Sequence, residues 1–139
     1  MESLSGAAWM LSAAALDRVG PLDEGYFHAF EDADWCVRAR AQGLALAVVL
    51  GAQARHQGSR TLGARSPERL YYAARGHLRA VERLRPLAGA SRSLRRARVV
   101  LLDLAHALRQ GEVPRVSAVA AVLDGARDFR DGFFGPRRP

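Results

Sequence analysis

The chain has 139 residues, 49% of them hydrophobic, which suits one globular domain with a core and not a disordered chain. All 21 basic residues are arginine: residues 1–56 carry 4 arginines against 7 acids, and residues 57–139 carry 17 against 7. The single cysteine excludes an internal disulfide, and no run approaches the roughly 18 apolar residues that span a bilayer. We therefore expect a cytoplasmic protein, soluble or peripheral on the inner face of the cell membrane.

The arginine-rich second part has two interpretations. It is either a solvated helical face or a surface for an anionic partner such as nucleic acid, lipid or a diphosphate.

The first predicted elements are a strand and a short helix. Residues 6–11 (GAAWML) are apolar and predict a β-strand. Ser12 is a suitable N-cap for a helix that continues through Asp17 and ends at Gly20.

Three carboxylates, Glu31, Asp32 and Asp34, follow an aromatic run within residues 26–40 (YFHAFEDADWCVRAR). The apolar periodicity places them in the first turn of a helix, where the unpaired amides stabilise each acid by roughly 0.3–1 kcal/mol. Asp34 and Arg38 also have the spacing of an i,i+4 ion pair. Because this account leaves the mutual repulsion of three close acids unexplained, a functional role is the second interpretation.

The segment after the acidic helix predicts a strand and a loop. Gly43 marks the helix end, and residues 44–50 (LALAVVL) predict a strand inside a sheet, since they are apolar throughout and bracketed by glycines. His56 follows, either as an ordinary surface residue or as a ligand. Residues 57–65 (QGSRTLGAR) predict a flexible loop whose arginines would meet phosphate or water.

The remainder predicts three helices. Ser66 caps the first, which has Pro67 at its first position and runs to about Arg85. Residues 94–108 and 114–129 predict an amphipathic helical hairpin. Its arginines and the Phe133–Phe134 tail either dock on an anionic membrane or cover the sheet domain or a partner.

An ordered set of residues then indicates a family. It comprises Gly20, Asp23, Glu24, Phe27, Phe30, Glu31, Asp32, Asp34, Arg38, Gly43 and His56. Residues 5–59 resemble the C-terminal half of the catalytic domain of family 2 glycosyltransferases, especially bacterial rhamnosyltransferase-like members, whose block reads GxxDExFFxYFEDxDxxxRxxxxG. The resemblance continues more weakly to Arg83.

The resemblance implies an inverting glycosyltransferase that moves a sugar from a nucleotide-diphospho-sugar to a glycan or lipid-linked acceptor. Asp32 would be the general base, and Glu31 and Asp34 would orient the acceptor or support that base. His56 would complete the coordination of a divalent metal, Mg or Mn, on the donor diphosphate. The substrate contacts would come from Trp9, Trp35 and Arg60.

The family's N-terminal half, with its nucleotide-binding strands and donor Asp-x-Asp motif, has no counterpart in this sequence. We therefore expect an α/β fold, a partial GT-A-like fold with residues 1–62 as its acceptor-side half and residues 63–139 as a helical extension. Activity would require a donor half from a longer chain or a separate polypeptide. A homo-oligomer is the other expected form of association, and nucleic acid is not an expected partner. The alternative is a non-catalytic remnant or binding module whose basic helices contact a membrane, a protein or nucleic acid.

Overall fold

The computed structural model describes residues 3–56, 62–63, 66–111 and 113–138. These residues form helices and irregular segments, and they contain no strand. The elements, in chain order, are α1 (Ala13–Val19), a 3₁₀ turn (Glu24–Tyr26), α2 (Glu31–Ala41), α3 (Pro67–Leu84), α4 (Gly89–Gln110) and α5 (Arg115–Arg130).

The prediction of an α/β, GT-A-like fold is wrong, because the described chain is helical throughout its regular structure. Residues 44–50, predicted as a strand inside a sheet, have no strand partner among the described residues, and Val48, Val49 and Leu50 are 53%, 71% and 93% exposed. Residues 6–11, the other predicted strand, are also irregular. An apolar run becomes a strand only when a neighbouring strand pairs with its N–H and C=O groups, and no described segment does so here.

The predicted N-caps of α1 and α3 are confirmed. At α1, the Ser12 hydroxyl accepts a hydrogen bond from the Ala15 N–H at 3.1 Å. At α3, the Ser66 hydroxyl accepts from the Glu68 N–H at 3.1 Å, and Pro67 occupies the first helical position. Each cap satisfies an amide that the helix itself leaves without a partner.

Helix α2 ends as its glycine predicts. Gly43 has a φ of 78°, in the left-handed region, and its N–H donates to the Arg40 carbonyl at 2.9 Å. The Leu44 N–H donates to the Ala39 carbonyl at 3.0 Å, which completes a Schellman motif. This motif turns the chain out of α2, so that Leu44 and Leu46 pack against the α1–α2 core.

Helices α3, α4 and α5 form a three-helix bundle. The predicted hairpin is confirmed, although α4 begins at Gly89 and not at residue 94. The bundle core contains Ala74, Ala107, Val113, Ala118 and Val122. Small residues predominate in it because the backbones of α3 and α5 approach closely.

Candidate functional site

The backbone that leads into the acids of α2 is held in an unusual conformation. Phe27, Ala29 and Phe30 have φ values of 61°, 70° and 72°, in the left-handed region that non-glycine residues rarely adopt. Aromatic stacking on α3 holds them there: Phe27 lies 4.9 Å from Tyr72 and Phe30 lies 5.2 Å from His77, measured between ring centroids. Left-handed conformations cost of order 1–3 kcal/mol each and persist only where the surroundings fix them. The start of α2 is therefore fixed by α3.

Gly76 in α3 provides the space for this lead-in. A Cβ atom at Gly76 would lie 2.9 Å from the Ala29 carbonyl oxygen and 3.2 Å from the Phe30 ring. Both distances are too short for a side chain to fit without movement. The close approach of the two segments thus requires glycine at this position.

Asp34 is the most buried of the three acids of α2, and both of its carboxylate oxygens have partners. It is completely buried, and Arg38 donates to its Oδ2 atom at 2.8 Å. Its Oδ1 atom accepts from the Tyr26 hydroxyl at 3.2 Å and lies 3.1 Å from Arg83 Nε. Burial, together with this carboxylate, raises the pKa of Tyr26. Asp34 thus joins α2 to α3 and faces away from solvent.

Asp32 differs from Asp34 because its carboxylate is partly exposed. Its Oδ2 atom accepts from the Gly6 N–H at 2.8 Å, and its Oδ1 atom accepts from the Ala33 N–H at 2.7 Å. A Cβ atom at Gly6 would lie 3.2 Å from Asp32 Cβ, so the N-terminal segment approaches this acid closely. Backbone donors therefore hold a carboxylate that solvent can still reach.

Glu31 is partly buried at the first position of α2. Its Oε2 atom is buried and has no hydrogen-bond partner among the described residues. A buried acceptor without a donor costs about 1–3 kcal/mol. Of the three acids, Glu31 is the one that would gain most from a new donor.

The predicted substrate-contacting residues lie in different surroundings. Trp35 is 3% exposed and its indole N–H donates to the Gly20 carbonyl at 2.8 Å. Trp9 is partly buried beside it, with 5.7 Å between the ring centroids. Both rings belong to the α1–α2 core, where substrate contact stays a prediction. Arg60, the third residue, lies outside the described residues.

The metal site implied by the resemblance is not formed by the described residues. His56 is exposed, and within the described ranges no three His, Cys, Asp or Glu side chains are grouped so that they could hold a metal ion. The described residues therefore do not fit a bound Mg or Mn ion by themselves. A metal stays a prediction for the complete enzyme, and no chemical step is assigned to it.

Asp23, in the predicted family block, has a structural role. Arg79 donates to its Oδ2 atom at 2.8 Å and Arg83 donates to the same atom at 2.6 Å. Burial would raise the pKa of Asp23, but the hydrogen bonds from Arg79 and from the Gly25 N–H, with the charges of both arginines, hold it below the usual value. This cluster fixes the 3₁₀ turn on α3.

Arg75 of α3 is fully buried, which the sequence did not predict. One guanidinium nitrogen, Nη1, donates to the Gly135 carbonyl at 2.6 Å and to the Tyr71 hydroxyl at 3.0 Å. The C-terminal segment therefore folds back over α3 and covers this arginine. The burial of Arg75 is hard to predict from the sequence. Only the adjacent pair Tyr71–Tyr72 indicates that aromatic rings surround its guanidinium group.

A cleft of about 160 Å³ lies between α3 and α4, and none of the three acids of α2 is among its lining residues. The lining includes His28, Ser66, His106 and Gln110. The acidic turn is thus not part of this cleft.

No match was found. Comparison of the chain with protein-family models, curated proteins and solved structures returned no similar protein. The glycosyltransferase resemblance therefore rests on the residues of the block alone. Among the described residues, no helix is both long enough and apolar enough to cross a membrane.

Proposed function

We propose that residues 5–59 provide the acceptor side of an inverting glycosyltransferase, with Asp32 as the general base. The observation that carries this proposal is the difference between two acids in one helical turn. Asp34 is buried and fully paired, whereas Asp32 is held by backbone amides and remains partly exposed. A base must be both fixed and accessible, and Asp32 meets both conditions.

The chemistry is a single displacement. The acceptor hydroxyl oxygen attacks the anomeric carbon of the donor sugar while Asp32 takes the hydroxyl proton. The bond between that carbon and the diphosphate oxygen breaks, and the nucleoside diphosphate leaves with the bonding electrons. In-line attack inverts the anomeric configuration, and a positioned carboxylate base contributes about 10²- to 10⁴-fold to the rate.

Glu31 is proposed to orient the acceptor. Its unpaired Oε2 atom would accept a hydrogen bond from a second acceptor hydroxyl after a small side-chain movement. Asp34 supports the site indirectly, because its ion pairs hold α2 on α3. The nucleotide-binding half would come from a longer chain or from a partner polypeptide.

The test uses the native gene product, purified with any upstream sequence or partner. Release of nucleoside diphosphate is measured from UDP-, GDP- and dTDP-linked sugars with glycan and polyisoprenoid-linked acceptors. We expect Asp32→Asn to lower turnover about 100-fold or more, with an unchanged circular dichroism spectrum. Asp17→Asn is the matched control, since Asp17 is an exposed acid in α1. Normal turnover in Asp32→Asn would eliminate Asp32 as the base.

The intact mass of the native product provides an independent check. A mass above the 15.1 kDa of this chain would support a longer enzyme that carries its own donor site. A mass of 15.1 kDa, with no copurifying partner and no turnover, would count against glycosyl transfer.

A further inference from the structure

Helix α4 exposes a stripe of leucines interspersed with arginine. Leu94, Leu101, Leu102 and Leu108 are 62%, 65%, 64% and 41% exposed. At 100° per residue, these leucines fall with the exposed residues Arg98, Ala105 and Arg109 within about 120° of the helix circumference, and the leucines extend over about 21 Å. We call this set the α4 stripe; it consists of Leu94, Arg98, Leu101, Leu102, Ala105, Leu108 and Arg109.

The opposite face of α4 packs against the rest of the bundle. Val99 and Ala107 are buried, and Arg96 donates to Glu82 of α3 at 3.0 Å. Asp103, the one acid in the sequence of α4, lies 2.9 Å from His77 of α3. The inward face therefore contains the negative charge of the helix, and the α4 stripe contains none.

The two arginines of the stripe are exposed and have no ion pair in the described part of the chain. Around the helix they lie between Leu94 and Leu102, on one half of the stripe, where their aliphatic stems can cover apolar surface while their guanidinium groups extend outward. A helix that lies in the plane of a membrane interface combines exposed apolar side chains with basic side chains whose charged ends reach the headgroups, and α4 presents both on one face.

We propose that the α4 stripe binds the surface of an anionic lipid membrane, with the leucines inserted at the headgroup boundary and Arg98 and Arg109 on lipid phosphates. The net charge of +7 adds long-range attraction to such a surface. This binding is independent of the chemistry proposed for Asp32, which lies on a different helix.

A second copy of the chain fits the stripe less well. In an antiparallel pairing of two α4 helices, the half of the stripe with Arg98 and Arg109 would meet the same half in the partner, and like charges would face each other.

The aromatic tail is not the docking element, because its rings pack against arginine. Phe134 lies 4.4 Å from the Arg79 guanidinium carbon and Phe133 lies 3.9 Å from that of Arg138, measured to the ring centroids. The Phe133 carbonyl also accepts a hydrogen bond from the buried Arg75. Membrane contact is thus assigned to α4 and not to residues 133–134.

The test is sedimentation of the whole chain with vesicles, in low and high salt. One set of vesicles contains phosphatidylglycerol and phosphatidylcholine, and the other contains phosphatidylcholine alone. We expect binding to the anionic vesicles that weakens in high salt. Leu101→Ser with Leu102→Ser should lower the partition coefficient about tenfold or more, and Arg98→Gln with Arg109→Gln should lower it roughly fivefold per arginine.

The matched control is Leu50→Ser with Arg55→Gln, which removes an exposed leucine and an exposed arginine away from α4. It should bind as the wild type does, and so should Asp32→Asn. Anionic binding that survives the leucine substitutions would overturn the proposal, since charge alone would then explain it. The proposal would also fail if the chain did not bind vesicles but dimerised with rising concentration, and the leucine substitutions abolished the dimer. The α4 stripe would then bind a second copy of the chain and not a membrane.

Discussion

Asp34 in α2 and Arg83 in α3 form an ion pair, with 3.1 Å between Oδ1 and Nε. The same arginine bonds Asp23 through Nη1 at 2.6 Å, so one side chain holds both α2 and the 3₁₀ turn before it on the bundle. The position of the candidate base, two residues before Asp34, therefore depends on Arg83, an arginine 51 residues further along the chain.

Replacement of Asp34 by alanine should lower the free energy of unfolding by about 3–5 kcal/mol, because it leaves two arginines and a buried tyrosine hydroxyl without their acceptor. Urea denaturation followed by circular dichroism measures this change. Asp17→Ala is the control and should alter the stability by less than about 0.5 kcal/mol. Equal effects of the two substitutions would show that the buried cluster contributes little.

Gly125→Ala should destabilise the bundle. A Cβ atom at this position of α5 would lie 2.4 Å from the Tyr71 carbonyl oxygen and 3.3 Å from the Arg75 amide nitrogen, so the α3 and α5 backbones would have to separate. Overpacking of this kind costs about 1–3 kcal/mol. Gly51→Ala has open space around its Cβ position and serves as the control in thermal unfolding.

The chain should lose stability in alkali because of Tyr71. Burial and the hydrogen bond to Asp128 raise the pKa of Tyr71 from 10.0 to about 12. A group whose pKa is raised by folding stabilises the folded state below its unfolded pKa, and this contribution is lost as the pH rises from about 10 towards 12. Tyrosinate absorbance during an alkaline titration should show the late transition.

Tyr71→Phe is the test of that assignment. It should remove the contribution of Tyr71 to the late tyrosinate absorbance, leave that of Tyr26, and reduce the loss of stability in this pH range. An unchanged alkaline profile in Tyr71→Phe would contradict the assignment. Tyr72→Phe offers a neighbouring control, in which the transition of Tyr71 should remain.

Acid should destabilise the protein through Asp23 and Glu82. Burial opposes ionisation of both, but the hydrogen bonds from Arg79 to Asp23, and from Arg96 and Arg92 to Glu82, hold each pKa below its usual value. A depressed pKa stabilises the folded state above the unfolded value, so stability should fall as the pH drops through the range below 3.8–4.5. Equilibrium unfolding across this range measures the slope.

Asp23→Asn should reduce that slope, because the amide does not titrate. Its unfolding free energy at neutral pH should also fall, since Arg79 and Arg83 lose a charged partner. If the unfolding free energy of the variant fell with pH as steeply as that of the wild type, Asp23 would not be a source of the acid sensitivity. Asp17→Asn, at an exposed position, should leave both the slope and the neutral stability unchanged.

Residue types alone predicted part of the arrangement of the acidic turn. The sequence placed Glu31, Asp32 and Asp34 in the first turn of α2 and paired Asp34 with Arg38, and both predictions are confirmed. It could not separate the roles of Asp32 and Asp34. That separation comes from Arg83 and Tyr26, which reach Asp34 from α3 and from the 3₁₀ turn.

The sequence by itself determined the helix ends at Ser12, Ser66 and Gly43, because these residues act through hydrogen bonds to residues only a few positions away. The start of α4, where no side chain caps the helix, was predicted five residues too late. The tertiary structure alone decided the state of residues 44–50 and the burial of Arg75. An apolar run becomes a strand only if another segment pairs with it, and an arginine becomes a core residue only if distant carbonyls and aromatic rings surround it. Both conditions depend on contacts that local sequence does not encode.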